Sequence, residues 1–161
     1  MKTNKQKRKK PFFIGSRGTD KAVSILQKEY LSSFTVFPDH LNYSGSLFGG
    51  KLLAEMDLAA SNAVRKALYE TSCDGLVTAH LNQVDFKNPG RLGDIVELRS
   101  VLVKAGRTSL TVDVQVNKED RHGTVTEICS ARFVFVALRK GKPFPHDIEL
   151  IVEPEIELIN D

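Results

Sequence analysis

The period of apolar positions changes along this chain, and the changes mark its elements. Residues 18–31, GTDKAVSILQKEYL, set Val23, Leu26 and Tyr30 along one face at helical spacing, with Asp20 in place to cap them, and so predict a short helix. SSFTVF then reads as a strand that stops at Pro38. From Gly49 to Leu68 the helical period returns for a long helix. After the Asp74–Gly75 turn the period falls to two. LVTAHLNQVDF, DIVELRSVLVKAG, SLTVDVQV and TVTEICSARFVFVALRK are four strand-like runs, separated by the turn chemistry of NPGRLGD, AGRT and KEDRHG. The alternation is clearest at Leu110, Val112, Val114 and Val116, which should face inward, against Thr111, Asp113 and Gln115, which should face outward. ARFVFVAL is apolar on both faces and predicts a central strand. The connections are too short for parallel crossovers, so the sheet should be mostly antiparallel. No repeat and no second core is evident. The expectation is a single α+β domain: one long helix packed on, and wrapped by, a sheet of five to six strands.

One residue breaks the helical pattern. On a wheel advancing about 100° per residue, Leu52, Leu53, Met56, Ala59, Ala60, Ala63, Val64, Ala67 and Leu68 cover about half the circumference. Lys51, Glu55, Asn62, Arg65 and Lys66 gather opposite. Asp57 falls between Val64 and Leu68, the one charge inside the apolar arc. The alanines allow a sheet to approach this face closely, so Asp57 should be at least partly desolvated. An acid kept there without a partner is costly, which makes Asp57 a candidate for chemistry.

Composition changes the picture in one respect. The chain of 161 residues is 41% hydrophobic and 27% charged, ordinary for a globular domain. Its formal charge is +3, yet six of the 23 basic residues lie in MKTNKQKRKK; the rest of the chain has 17 basic against 20 acidic residues, a body of net −3. The high isoelectric point therefore describes a tail, expected to be a flexible solvated arm, and nucleic-acid binding by the body is not indicated. PFFIG is too short for a secretory apolar region, the start lacks a transit-peptide pattern, and no apolar run reaches membrane-spanning length. Cys73 and Cys129 lie far apart without metal-ligand spacing, and Cys129 reads as a small core residue; a reducing cytoplasmic setting is the expectation that accounts for this most simply.

The helix start carries a second candidate. Gly45 to Lys51, GSLFGGK, fits the glycine-rich phosphate loop GxxxxGK, but Leu52 stands where a hydroxyl should hold Mg²⁺, and the sheet reads antiparallel. A nucleotide hydrolase is therefore disfavoured. Gly49 and Gly50 can instead leave backbone N–H groups unobstructed at a helix N-terminus, where the dipole favours a developing oxyanion. They can also serve simply to let the helix start pack closely. Amide donors near a desolvated carboxylate are the equipment for acyl transfer to water. His40, His80, His122 and His146 have no ligand spacing, and no metal is expected.

PDHLNYSGSLFGGKLLAEMDLAA, VTAHLNQVDFKNPGRLGD, AGRTSL and FVFVAL, in this order, resemble the hotdog-fold acyl-CoA thioesterases of the YciA type. The likeness runs from about Ser33 to Pro145. It implies a single hotdog domain over 19–146, between a basic tail at 1–18 and a C-terminal extension at 147–161. It also implies pairing of subunits, as a dimer and further as a trimer of dimers, with the active site between them. Asp57 matches the family's helix acid and would be general base or nucleophile. Asn42, from the other chain, would orient water or the carbonyl, and the amides near Gly49 and Gly50 would polarise the thioester. A thiolate leaves readily, so no strong general acid is required.

Coenzyme A brings phosphate charges. The resemblance sets Arg107, Thr108 and Ser109 near its nucleotide, while Lys104 and Lys87 are weaker candidates from charge alone. Coenzyme A is expected only as part of substrate and product, with no separate cofactor, no nucleic-acid partner and no membrane insertion. The alternative is a non-catalytic module that binds acyl-CoA as a signal; a hydratase would want a His–Asp pair on one loop, which the sequence lacks.

Overall fold

The computed structural model describes residues 22–152. Its strands are β1 (Val23–Leu26), β2 (Glu29–Thr35), β3 (Gly75–Phe86), β4 (Ile95–Ala105), β5 (Ser109–Glu119), β6 (Val125–Arg139), β7 (Lys142–Pro143) and β8 (Ile148–Ile151), and its one α-helix is α1 (Gly49–Ala67). The main sheet runs in the order β2-β4-β5-β6-β3, with β7 added against β6. Every pairing in it is antiparallel. The helix lies across this sheet and touches β2, β3, β4, β5 and β6. The result is the α+β helix-and-sheet pair that the periods predicted.

The predicted inward positions build the core. Met56, Ala60, Ala63 and Val64 of α1 are buried, as are Leu110, Val112, Val114 and Val116 of β5 and Phe133 and Phe135 of β6. Cys129 is buried, and desolvation pushes its thiol up to about 11. ARFVFVAL lies within β6, flanked by β5 and β3; it is interior, but β5 holds the middle place.

Two expectations need correction. The predicted helix at 18–31 is, where described, two strands. Val23–Leu26 pairs in parallel with Ile148–Ile151, and Glu29–Thr35 pairs with β4. Asp20, its expected cap, lies outside the described residues. Val23 and Ile25 are β-branched, and a helix this short is marginal by itself, so ladder bonds to a distant segment win over local spacing. Gln27, between the two strands, is buried and donates from Nε2 to the Leu102 carbonyl at 3.1 Å. The second correction concerns Asp113. It faces away from the helix as expected, yet it is only 2% exposed. Arg132 on the neighbouring strand donates to both its oxygens, from Nε at 2.6 Å and from Nη2 at 2.9 Å. A buried carboxylate needs that fork.

Candidate active site

The loop before α1 is closed on itself and fixes how the helix begins. Leu41 bridges to Leu47, the Asn42 N–H donates to the Ser46 carbonyl at 2.8 Å, and Gly45 turns the chain at φ +78°, a conformation that favours glycine. The Asn42 side chain organises this loop. Its Oδ1 accepts from the Ser44 N–H at 3.0 Å, the Ser44 hydroxyl at 2.8 Å and the Ser46 N–H at 3.1 Å, while Nδ2 donates to Ser46 Oγ at 3.2 Å. Leu47 N–H then donates to the Gly90 carbonyl and Phe48 N–H to that of His40, both at 2.9 Å. His40 is thus a turn residue; its Nδ1 accepts the Phe37 N–H at 3.1 Å.

Phe48 is the N-cap, and its side chain makes no capping hydrogen bond; the first turn also contains no acid. The leading N–H groups of α1, at Gly49 and Gly50, therefore have no side-chain acceptor supplied by the cap. Beside them opens a cleft of about 350 Å³, lined by Leu47, Gly49, Leu52, Phe86 and Lys87 through Gly90. Lys87, one of the weaker cation candidates, is engaged: its Nζ donates to Glu127 Oε1 at 2.7 Å, and that bond raises its pKa.

Asp57 is half-buried on α1, and Thr78 Oγ1 donates to its Oδ1 at 2.7 Å. Sequence reasoning gave Thr78 no role. Its only signal was membership of a strand-like run, and the contact depends on the register of β3 against the helix. Asp57 is not on the wall of the cleft at the helix start. Eight residues of helix separate it from Gly49, about 12 Å along the axis. Within one chain, then, the carboxylate and the leading amides do not converge, and no hydrogen bond joins Asn42 to Asp57 among those of the described residues.

Arg107, Thr108 and Ser109 form the turn from β4 into β5. Across the sheet Ser109 lies in register with Val136 and Val77, and Leu110 with Phe135 and Thr78. The turn is therefore at the same end of the sheet as the Asp57–Thr78 contact, two strands or about 10 Å away. The Arg107 side chain is exposed and makes no ion pair among the described residues; Lys104, on β4, is exposed as well.

The sequence signature of the thioesterase superfamily matches residues 44–125. The acetyl-coenzyme A thioesterase of Rattus norvegicus is 30% identical over 137 residues, 84% of this chain but only 24% of that protein. The acyl-CoA hydrolase of Bacillus cereus is similar in structure, with a TM-score of 0.71 and 35% identity over 79% of this chain and 76% of that one. A hexameric acyl-CoA thioesterase, solved without ligand, superimposes with a TM-score of 0.68 and 33% identity, covering 80% of each chain. On the signature and the structural likeness, this chain belongs to the thioesterase superfamily, and its long helix packed on an antiparallel sheet is a hotdog domain.

Proposed function

We propose that the protein hydrolyses acyl-CoA thioesters to a carboxylic acid and free coenzyme A. The observation that carries this reading is the Asp57 carboxylate, fixed by the Thr78 hydroxyl at 2.7 Å on the same helix that begins with uncapped amides. With Oδ1 accepting from Thr78, Oδ2 is left to act on water as general base, or on the thioester carbon as nucleophile. The amides at Gly49 and Gly50 receive the oxygen of the polarised carbonyl, and the tetrahedral intermediate collapses by releasing the thiolate; on the nucleophilic route water then opens the mixed anhydride on Asp57 to free the acid.

Reacting groups must lie within about 3.5 Å of the carbon, and the 12 Å rise between Gly49 and Asp57 is about three times that. A complete site therefore takes amides from one chain and the acid from a second. Asn42 belongs with the amides, since its loop closes onto the helix start. Its Oδ1 is already occupied, so what it offers substrate is a remaining N–H of the carboxamide, suited to the thioester oxygen or to water.

The second chain is a copy of this one. Among the described residues β3 is an edge strand of the main sheet, 12 residues long, with Val77, Leu81 and Val84 exposed along it and Leu58 exposed on the helix beside Asp57. An apolar edge of that length needs cover. Dimers further assembled into a hexamer are in keeping with the hexameric thioesterase whose fold this chain shares. Arg107 with Thr108 and Ser109 holds the nucleotide end of coenzyme A, with Lys104 adding charge at the same end of the sheet.

The test is thiol release from acyl-CoAs of graded chain length by the wild type and Asp57→Asn. The variant should fold and melt like the wild type and lose about 10²–10⁴ of the rate. Release at near wild-type rate would remove Asp57 from the chemistry, whereas tight acyl-CoA binding without turnover by the wild type would favour the signal-binding module.

A further inference from the structure

We infer that His146 is a positioning residue for coenzyme A binding, holding the turn that presents Arg107; this rests on the reading that Arg107 grips the nucleotide. His146 lies beyond the family signature, which ends at residue 125, and the residue is 2% exposed. Both ring nitrogens are committed. Nδ1 accepts the Ile148 N–H at 3.0 Å, which leaves the proton on Nε2, 3.1 Å from the Ser109 carbonyl oxygen it donates to. The His146 backbone N–H donates to the Arg107 carbonyl at 3.3 Å. Thr108, between them, accepts the Ala137 N–H at 2.8 Å. All three carbonyls of the turn are thus bound, two of them by His146.

The turn has little freedom of its own to waste. Gly106 N–H closes it on the Ser109 carbonyl at 2.8 Å, and a Cβ at Gly106 would stand 2.5 Å from Ser109 Oγ. The far side of the latch is equally anchored. Phe144 N–H donates to Ala137 at 3.0 Å, and Ile148 enters the core as the first residue of β8, whose partner is β1. Asp147 adopts φ +53°, and this left-handed residue turns the Ile148 amide back onto the His146 ring. His146 therefore ties the β4–β5 turn to the small parallel sheet. A flexible arginine on a fixed backbone loses less entropy on gripping phosphate than one on a swinging turn. His146 touches no substrate; it acts through Arg107.

Four proteins and two substrates test this: wild type, His146→Phe, Arg107→Ala and the double variant, assayed on an acyl-CoA and on the acyl-pantetheine thioester that lacks the nucleotide. His146→Phe keeps the ring and loses both nitrogens. It should raise KM for acyl-CoA about fivefold, leave kcat and the pantetheine thioester unchanged, and add nothing in the Arg107→Ala background. His146→Gln, which can still donate to Ser109, should restore KM to within about twofold of the wild type. If the Phe variant does not fold, His146→Ala carries the same comparison. Equal losses on both substrates, or losses that add to those of Arg107→Ala, would overturn the positioning role. Arg107→Ala effective on acyl-CoA beside a silent His146→Phe would overturn it too, leaving the nucleotide reading intact. An Arg107→Ala variant without effect on acyl-CoA would remove both.

Discussion

Thr78 and Asp57 are joined by a 2.7 Å hydrogen bond that spans from the edge strand of the sheet to the third turn of the helix. The hydroxyl is the donor, so the bond occupies Oδ1 of the carboxylate and leaves Oδ2 open. An apolar arc on a helix normally excludes charge; here one strand residue supplies the partner that makes the charge tolerable.

Thr78→Val keeps the side chain's shape and removes the donor. A hydrogen bond to a charged group is worth about 1.5–3 kcal/mol, so kcat should fall about 10- to 100-fold. Thr78→Ser should retain most of the activity. Steady-state rates on one acyl-CoA, with a thermal melt to check the fold, decide it. A fully active Val variant would mean the contact only satisfies a polar group.

The proposed sharing of the site between chains has a sharper consequence. Asp57→Asn and Asn42→Ala should each be inactive alone. Unfolded, mixed in equal amounts and refolded together, they should recover about a quarter of wild-type activity, because half the dimers are mixed and each mixed dimer has one intact site. No recovery, in mixed assemblies verified by mass, would place all the groups on one chain.

Arg107→Ala should raise KM for acyl-CoA about tenfold with kcat nearly unchanged, since a cation on a remote phosphate binds ground and transition states alike. With a pantetheine thioester the difference should vanish. Equal losses on both substrates would make Arg107 a structural residue of the turn.

The Asp113–Arg132 pair predicts a stability effect with an informative asymmetry. Arg132→Met strands a carboxylate that is 2% exposed and should destabilise by about 3–5 kcal/mol. The double change Asp113→Leu with Arg132→Met should recover most of that loss. Thermal midpoints at one protein concentration measure both. Equal destabilisation of the single and the double variant would show that the fork contributes far more than it costs to desolvate.

Much of this was legible because it is local. Helix and strand periods are set by where successive side chains point, so α1, β3, β4, β5 and β6 could be read from spacing alone, and so could the position of Asp57 on the buried arc. Tertiary structure decided the partners. Thr78 is 21 residues from Asp57, Arg132 is 19 from Asp113, and His146 is 37 from Ser109. Such separations leave no periodic trace, because they depend on register between strands and on how the sheet curls over the helix. The failure at 18–31 has the same cause. Val23, Leu26 and Tyr30 satisfy a helical spacing, but β1 takes its hydrogen bonds from β8 at the other end of the chain, and the free energy of that distant pairing, not the local pattern, fixes the backbone.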